Sequence, residues 1–320
     1  MNVLSLFDGI SCGRVALERA NIPVKKYYAS EIQNYSIFIA KKNYPDTIEI
    51  GDVTEISSSR FSEPIDLLLG GSPCKNFSMV RIDNKDIACG CKTQEDEEIL
   101  TLEQYLELKN NHVPFKGDSW LFWEYVRILN EVKPKYFLFE NVPTKQKWVD
   151  MISNALGVRP IEINSKNFSA QDRKRLYWTN IPIHKKIPAC RVVLGDILED
   201  EVEKEFYCKQ TYEFYGLEQR VCGKLDLNGH DIAKRVYSPY YKAPTITACR
   251  GGNLQKKVFD TKKKIPRSLT PVEYERLQTL PDNYTSGIAK TNRYNVCGDG
   301  WTVDVIAWIL SNLNEIEDFE

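Results

Sequence analysis

The sequence predicts an α/β fold in which a mainly parallel sheet carries a smaller, β-rich companion domain. Three observations predict it. Short apolar runs alternate with helical patterns over residues 1–182. From about residue 183 the helical pattern lapses and turns, tyrosines and lysines become common, whereas helices return at about residue 269. A chain of 320 residues with 42% apolar content suits one discontinuous large domain, 1–182 with 269–320, and a small domain over 183–268.

The first strand and helix indicate a nucleotide-like ligand at their junction. A strand over residues 3–7 leads through a glycine-bearing turn into a helix beginning at Gly13, and such a turn lets a cofactor approach the backbone. The second strand ends at Glu31, 18 residues after Gly13, where a carboxylate can accept hydrogen bonds from ribose hydroxyls. The glycine spacing is not G-x-G-x-x-G, which argues against a nicotinamide dinucleotide.

The fourth predicted strand ends at a cysteine suited to nucleophilic chemistry. An apolar run over residues 65–69 is closed by two glycines, and Pro73 then restricts the backbone in front of Cys74. A thiol at the edge of a sheet is near solvent and can be deprotonated by its surroundings. On this stretch alone, a structural cysteine that happens to follow a proline remains an equal alternative.

The fifth predicted strand brings a carboxylate to the same edge. The apolar run 136–139 ends in Glu140, and Cys74 ends a neighbouring strand. Ligands of open α/β sheets bind at the carboxyl ends of the strands, so we expect both side chains to face one crevice. There Glu140 can hold or donate a proton. A capping carboxylate is the alternative.

Two arginines precede the run 176–179, which continues the alternation of strands and helices. Residues two apart on an extended segment point the same way, so Arg173 and Arg175 can both reach one site. A guanidinium can donate two hydrogen bonds in fixed geometry to a carboxylate or to a carbonyl oxygen. Without further support, an exposed basic turn is the better explanation of the pair.

Residues 75–118 are too many for a plain loop in a compact domain. A short helix over 99–108 fits the pattern inside the segment, which is either a lid over the crevice or a surface insertion. Near the C-terminus, Thr270 and Glu273 form a capping box for a helix that runs to about residue 280. A last helix is expected from Trp301 to residue 313, packed back on the large domain.

Charge and cysteine content narrow the class of protein. The net charge is −1, but residues 183–268 hold 17 Lys and Arg against 11 Asp and Glu, which favours a polyanionic partner over a merely solvated face. Nine cysteines, without paired spacing or a leader segment, indicate a reducing, intracellular location. We expect no metal site and no membrane span, because four zinc ligands and a long apolar run are both missing.

Several blocks together resemble the DNA (cytosine-5) methyltransferase family. In chain order they are residues 4–13, Glu31, 51–53, 70–78, 139–142, 171–175 and 298–303. The resemblance implies a Rossmann-like sheet that binds S-adenosylmethionine, with a target-recognition domain over 183–268 and duplex DNA as substrate. It also implies a monomer and, as a further partner, a cognate restriction endonuclease.

The resemblance also implies roles for single residues. Cys74 is the nucleophile, Glu140 contacts the ring of the target base, Arg175 holds its oxygen and Arg173 orients Glu140. The implied cofactor residues are Phe7, Asp8, Gly9, Ile10, Ser11, Cys12, Gly13, Glu31, Asp52, Val53, Asp299, Gly300 and Trp301. The implied DNA contacts are Ser78, Gln171, Thr245 and Arg250. Asp299 stands where this family commonly has asparagine, and Asp52 taken alone is typical of a turn.

Three other functions fit parts of the sequence. A cytosine-5 methyltransferase acting on RNA would use the same residues, and only a substrate assay separates it from a DNA enzyme. A non-catalytic DNA-binding relative would usually lack Cys74 or Glu140, and both are present. A nicotinamide oxidoreductase shares the sheet but has a different glycine spacing and no use for Cys74, Glu140 and Arg175 together.

Overall fold

The computed structural model describes residues 1–79, 89–249 and 252–314, so Arg250 and part of the 75–118 segment lie outside the described residues. The strands are β1 (Asn2–Leu6), β2 (Lys26–Ser30), β3 (Ile48–Glu49), β4 (Leu67–Gly70), β5 (Lys92–Thr93), β6 (Phe115–Lys116), β7 (Tyr136–Asn141), β8 (Ile161–Asn164), β9 (Gln171–Asp172), β10 (Lys174–Thr179), β11 (Tyr212–Phe214), β12 (Val221–Leu225), β13 (Arg235–Tyr237), β14 (Ala243–Pro244), β15 (Lys257–Asp260) and β16 (Ile265–Ser268). The α-helices are α1 (Cys12–Arg19), α2 (Asn34–Asn43), α3 (Leu102–Asn110), α4 (Leu121–Val132), α5 (Gln146–Leu156), α6 (Asp231–Lys234), α7 (Pro271–Leu277), α8 (Lys290–Asp299) and α9 (Val303–Leu310).

The main sheet has the strand order β3-β2-β1-β4-β7-β10-β8. The pairs from β3 to β7 are parallel, whereas β10 runs antiparallel to both of its neighbours. In the central register Leu6 pairs with Gly70, and Gly70 pairs with Phe139. The ends of β1, β4 and β7 therefore lie side by side, and the residues that follow them reach the same edge of the sheet.

Helices cover both faces of this sheet. On one face α1 packs against α9, and buried residues such as Leu17 and Ile306 share a core with the sheet. On the other face α4 and α5 bury residues such as Phe122 and Ile152 in a second core. Burying a side chain of this size contributes about 1.5–3 kcal/mol, so both layers hold the strands in place. This fixes the sheet edge on which the candidate site is built.

A second sheet, β11-β12-β13-β15-β16, is formed by the middle of the chain. Its pairs are antiparallel except for β13 with β15. A third core joins this region to α7 and α8, with Tyr237, Val258, Tyr274 and Tyr294 among its buried residues. Because α7 and α8 share this core, the division at residues 182 and 269 stays a prediction.

The structure corrects three expectations about elements. The run 176–179 belongs to β10, which is antiparallel, because residues 165–173 connect it to β8 without a crossover helix. The apolar run could not reveal its direction, since a strand buried on both faces reads the same either way.

Helix α8 was not predicted, and α9 begins at Val303 instead of Trp301. The capping box on Thr270 and Glu273 is confirmed by its two hydrogen bonds of 3.1 and 2.8 Å.

Candidate active site

Cys74 lies in the loop that leaves the sheet after β4. The backbone N–H groups of Phe77 and Ser78 donate to the carbonyl oxygen of Cys74 at 3.0 and 2.9 Å, which fixes the turn. The thiol is half-buried against the second core. Burial raises its pKa, the nearby Glu140 carboxylate raises it further, and the Arg175 guanidinium opposes both. At rest the group is therefore a protonated thiol.

Glu140 has one partner on each of its carboxylate oxygens, an ion pair with Arg175 and a hydrogen bond from Trp301. Nε of Arg175 lies 3.0 Å from Oε1, and the indole Nε1 of Trp301 donates to Oε2 at 3.0 Å. Gly71 leaves the space that this arrangement needs. A Cβ there would lie 3.1 Å from both Oε2 of Glu140 and Nε1 of Trp301, closer than almost any real contact of a Cβ. The carboxylate thus lies against the loop that carries Cys74.

The contacts of Arg173 differ from the prediction. Its guanidinium donates to the carbonyl oxygens of Ile246, Gly298 and Gly300 at 2.9, 3.2 and 3.1 Å. It does not orient Glu140 by a direct hydrogen bond. The side chain is buried, and its three acceptors come from two distant chain segments. Arg173 therefore clamps the middle of the chain to the segment that leads into Trp301.

The turn between β1 and α1 has an unusual backbone. Phe7, Gly9 and Ser11 have φ values of 56°, 60° and 59°, and left-handed φ is rare for residues other than glycine and concentrates at functional sites. A Cβ on Gly9, or on Gly51 after β3, would project into open space with no atom within 4 Å. The ends of β1 and β3 thus leave room for a ligand.

Two carboxylates near this turn accept hydrogen bonds from other groups of the protein. Asp8 is buried and accepts hydrogen bonds from Tyr27 Oη at 2.7 Å and Ser11 Oγ at 2.5 Å, so its side chain faces the interior instead of the predicted cofactor. Burial raises its pKa. Glu31 accepts from the N–H groups of Gly9, Ile32 and Gln33, each at 2.8 Å. Burial also raises the pKa of Glu31, although these bonds oppose the shift.

The other predicted cofactor residues divide into exposed and buried groups. Asp52 is exposed, caps a short 3₁₀ turn and accepts from the N–H of Thr54 at 2.9 Å. Asp299 is exposed and Gly300 half-buried, both near the end of α8. The side chains of Ile10, Cys12 and Val53 are buried. Burial raises the pKa of Cys12 to about 12. Gly13 packs closely against Leu69 and Tyr27.

One residue that the sequence analysis missed lies beside Glu31. The side chain of Ile32 is 64% exposed, although its backbone is fixed by the bond to Glu31. An exposed apolar side chain next to a carboxylate offers one contact for a flat ring and one for a hydroxyl. In the sequence, the feature that could have indicated this residue is an isoleucine directly after Glu31, the acidic residue at the end of the second strand.

The residues predicted to contact DNA lie in different environments in the structure. Gln171 is fully buried, donates to the Leu277 carbonyl and to Oε1 of Gln278, and accepts from the Ile246 N–H, so the prediction that it binds DNA is wrong. Thr245 is half-buried and donates to the Asp172 carbonyl at 2.8 Å. Ser78 is half-buried next to the Cys74 turn. Arg250 lies outside the described residues.

Comparison with known proteins identifies the family. The family model for C-5 cytosine-specific DNA methylase matches residues 1–89 and 113–315. The chain belongs to the C-5 cytosine-specific DNA methylase family. It is therefore a DNA cytosine-5 methyltransferase, and the predicted family, fold class and activity are confirmed.

Relatives of this methyltransferase match it over most of their length. The chain is 27% identical to the orphan methyltransferase M.SPBetaI of Bacillus phage SPbeta, over 87% of this chain and 78% of that protein. It is 25% identical to the type II methyltransferase M.NlaX of Neisseria lactamica, over 97% and 95%. The solved structure of Entamoeba histolytica methyltransferase EhMeth superposes with a TM-score of 0.68 at 15% identity, covering 100% of this chain and 99% of that one, which shows a shared fold.

The segment that the family model skips, between residues 89 and 113, is structured in this methyltransferase. It contains β5 and α3, which confirms the helix predicted over 99–108 with bounds shifted to Leu102–Asn110, and it buries Cys91 and Tyr105 in the second core. Asn76, two residues after Cys74, donates to the Lys116 carbonyl at 3.3 Å and accepts from the Gly90 N–H at 2.9 Å. Gly90, in the skipped segment, and Lys116, just beyond it, thus hold the loop that carries Cys74 in place.

Three further features bear on the class of site. Among residues 1–79, 89–249 and 252–314, no group of three or more His, Cys, Asp and Glu side chains could hold a metal ion. Across those same residues, every helix is too short or too polar to pass through a lipid bilayer. All nine cysteines lie in the described parts of the chain and are free thiols.

Proposed function

We propose that the enzyme methylates carbon 5 of cytosine in duplex DNA through a transient covalent bond from Cys74 to carbon 6 of a flipped-out base. The observation that carries the proposal is the grouping of Cys74, Glu140 and Arg175 at one edge of the sheet, with the Glu140 carboxylate held 3.0 Å from Arg175. A nucleophile, a hydrogen-bonding acid and a guanidinium are the groups that activation of a pyrimidine ring requires.

The chemistry assigns one task to each side chain. Carbon 5 of cytosine is a weak nucleophile, so the Cys74 sulfur adds to carbon 6, and the electron pair of the 5,6 double bond moves toward carbon 5. Glu140, protonated from solvent, donates that proton to ring nitrogen 3, which takes up the negative charge that addition of the sulfur places on the ring, while Arg175 donates to the ring oxygen. After methylation, carbon 5 loses its proton to solvent, the bond from sulfur to carbon 6 breaks and the double bond forms again. Burial raises the pKa of Cys74, so the thiol must first lose its proton to solvent to form the thiolate that adds to carbon 6.

The cofactor that the family implies is S-adenosylmethionine, which supplies an electrophilic methyl group when bound. The residues at the ends of β1, β2 and β3 fit such a molecule. The space over Gly9 and Gly51 admits it, and the exposed side chain of Ile32 offers an apolar surface for an adenine ring. The carboxylate of Glu31 can accept from ribose hydroxyls, and Asp52 from the amino group of adenine.

The substrate base must leave the double helix, because the sulfur and the methyl group approach it from opposite faces of the ring. The basic segment 183–268 then serves as the target-recognition domain that contacts the phosphates of duplex DNA. Ser78 and Thr245 are the described residues proposed to contact DNA, whereas Gln171 is removed from that set. A cognate endonuclease, a monomeric state and an intracellular location stay predictions.

Two measurements test the proposal. Tritium from methyl-labelled S-adenosylmethionine should appear in unmethylated genomic DNA and not in transfer RNA. Duplex DNA carrying 5-fluorocytosine at the methylated position should become covalently attached to the peptide that contains Cys74, because fluorine cannot leave as the proton does. Label in transfer RNA alone would establish the RNA enzyme instead. Transfer to DNA without a trapped peptide would remove the covalent mechanism.

A further inference from the structure

We propose that Trp301 is a positioning residue for the catalytic carboxylate, and that the buried amide of Gln278 sets its place. This assignment rests on the proposed function, since it concerns the role of Glu140 in that reaction. It departs from the expectation that Trp301 binds the cofactor. Four sets of contacts carry it, beginning at the carboxylate and ending in the core.

The carboxylate of Glu140 has two partners from different parts of the chain, an ion pair with Arg175 and a hydrogen bond from Trp301. Arg175 lies 3.0 Å from Oε1 and precedes Tyr177, the β10 residue that pairs with Glu140 in the sheet. Trp301 donates to Oε2 at 3.0 Å across 161 positions in the sequence. With Arg175 alone the carboxylate could rotate about its last bond. A second donor on the other oxygen defines its plane and leaves the remaining acceptor positions aimed at the crevice.

The hydrogen bond between Trp301 and Glu140 lies directly on the backbone of Gly71. A Cβ on Gly71 would be 3.1 Å from each of the two bonded atoms. Gly71 begins the loop that leads through Pro73 to Cys74. The indole therefore fixes the position of the Glu140 carboxylate relative to the loop that carries Cys74. Addition to a pyrimidine ring depends on the distance between the carboxylate and the thiol.

Gln278 holds the backbone on both sides of Trp301. Its side-chain amide is fully buried and donates through Nε2 to the carbonyl oxygens of Cys297 at 2.6 Å and Gly300 at 2.9 Å. Oε1 accepts from the hydroxyl of Thr302 at 2.9 Å, and the backbone carbonyl of Gln278 accepts from the Val303 N–H at 2.9 Å. Residues 300 and 302 are thereby tied to the side chain of Gln278 and residue 303 to its backbone carbonyl, so Trp301 has little freedom to move.

Arg173 adds a second donor to the same junction. It reaches the Gly300 carbonyl at 3.1 Å and the Ile246 carbonyl, so the segment before Trp301 is also tied to the middle of the chain. A fully satisfied buried polar network is rigid and specifies one arrangement. The junction therefore acts on Glu140 through the indole of Trp301.

The test uses Trp301→Phe, which keeps an aromatic ring and removes the N–H. Its matched control is Trp308→Phe, which removes an indole donor that bonds the Lys186 carbonyl at 3.2 Å, on α9 and outside the site. The main readout needs no cofactor. Addition of Cys74 to carbon 6 lets carbon 5 take a proton from water and lose tritium in return, so release of tritium from DNA labelled at carbon 5 of cytosine reports activation of the base.

We expect Trp301→Phe to slow tritium release and kcat by about 10- to 100-fold, the loss typical of one hydrogen bond to a charged group. The Kd for S-adenosylmethionine should change by less than about threefold, and Trp308→Phe should match the wild type. The double variant Trp301→Phe with Glu140→Gln should release tritium no more slowly than Glu140→Gln alone, because the indole acts through that carboxylate. A merely structural tryptophan would instead add its own loss to that of Glu140→Gln.

The outcomes separate this inference from the proposed function. A wild-type enzyme that neither transfers methyl groups nor releases tritium would overturn both. A wild type that does both, with Trp301→Phe unchanged in tritium release or with losses that multiply in the double variant, would overturn the positioning role alone. A Kd for the cofactor that rises as far as kcat falls would return Trp301 to the cofactor site. Thermal unfolding of each variant excludes a loss through misfolding.

Discussion

Nε2 of Gln171 lies 3.1 Å from Oε1 of Gln278, and both side chains are fully buried. The contact joins β9, the short strand directly before Arg173 and Arg175, to the residue that holds the backbone around Trp301. Gln171 also donates to the Leu277 carbonyl and accepts from the Ile246 N–H. A residue that the sequence suggests for DNA contact is thus part of the interior scaffold behind the site.

Gln171→Ala should therefore lower stability instead of DNA affinity. The substitution leaves buried donors and acceptors unpaired, at about 1–3 kcal/mol for each unsatisfied group. We expect a lower midpoint of urea unfolding, with DNA affinity of the folded fraction close to that of the wild type. Gln219→Ala is the matched control, because Gln219 is exposed and bonds only the Tyr215 carbonyl at 3.3 Å. Lost DNA affinity at unchanged stability would contradict the buried position.

The charges around Cys74 predict opposite effects of two substitutions on its reactivity. Glu140 raises the pKa of the thiol, and Arg175 lowers it. Glu140→Gln should therefore speed alkylation of Cys74 by iodoacetamide at pH 8, and Arg175→Gln should slow it. Because one pKa unit is a tenfold change in thiolate, each effect should be roughly three- to tenfold.

The pH dependence of this alkylation has a definite sign. The pKa of Cys74 lies above its ordinary value of 9.0, so the thiolate is scarce near neutrality and the rate rises with pH through and beyond that value. Mass spectrometry of the Cys74 peptide measures the rate, with the half-buried Cys190 as an internal reference. A rate that is already constant between pH 7 and pH 9 would mean that the thiolate is present at rest.

The cofactor pocket can be tested apart from the DNA surface. Asp52→Ala should raise the Kd for S-adenosylmethionine roughly tenfold, the effect of losing one hydrogen bond, while DNA affinity stays the same. Asp46→Ala is a suitable control, because Asp46 is an exposed carboxylate that pairs with Arg14 at 2.9 Å. Calorimetry with the cofactor and a filter-binding assay with DNA give the two affinities. Equal losses in both would mean that Asp52 serves the fold alone.

Local signals were enough to predict the parts of the site that end strands. Cys74 and Glu140 each follow an apolar run that closes in glycine or asparagine, and the register of β4 with β7 brings the two ends together. Glu31 and Asp52 follow the same rule. These assignments succeed because strand ends of a parallel sheet share one edge.

Contacts over long sequence distances could not be predicted in this way. The bond between Trp301 and Glu140 spans 161 positions, and that between Gln171 and Gln278 spans 107. Whether a polar residue of a turn faces a ligand or the interior depends on packing, as Asp8 shows with its bonds to Tyr27 and Ser11. The direction of β10 is likewise set by the segment that connects it to β8, and the residue types of the strand do not indicate that direction.

Helix α7 supplies the last prediction, because its capping residue is also half of a buried ion pair. NH1 and NH2 of Arg267 donate to the two carboxylate oxygens of Glu273 at 2.8 and 2.6 Å, and both side chains are almost fully buried. Glu273 also accepts from the N–H groups of Thr270 and Glu199. Glu273→Ala removes the carboxylate that pairs with both terminal nitrogens of Arg267 and leaves the buried guanidinium with the more distant Asp260, 3.7 Å from its Nε, which should cost about 3–5 kcal/mol of unfolding free energy.

The control for this substitution is another pair of arginine and carboxylate with the same spacing. Arg276 and Asp282 are also six positions apart and lie 2.6 Å from each other, but both are partly exposed. Asp282→Ala should cost about 0–1 kcal/mol. Urea unfolding measures both, and equal costs would show that burial does not govern the Glu273 pair. Gln278 directly follows α7, so a change in α7 should also loosen the backbone that holds Trp301. Glu273→Ala should therefore slow tritium release while the protein is still folded. Asp282→Ala should not.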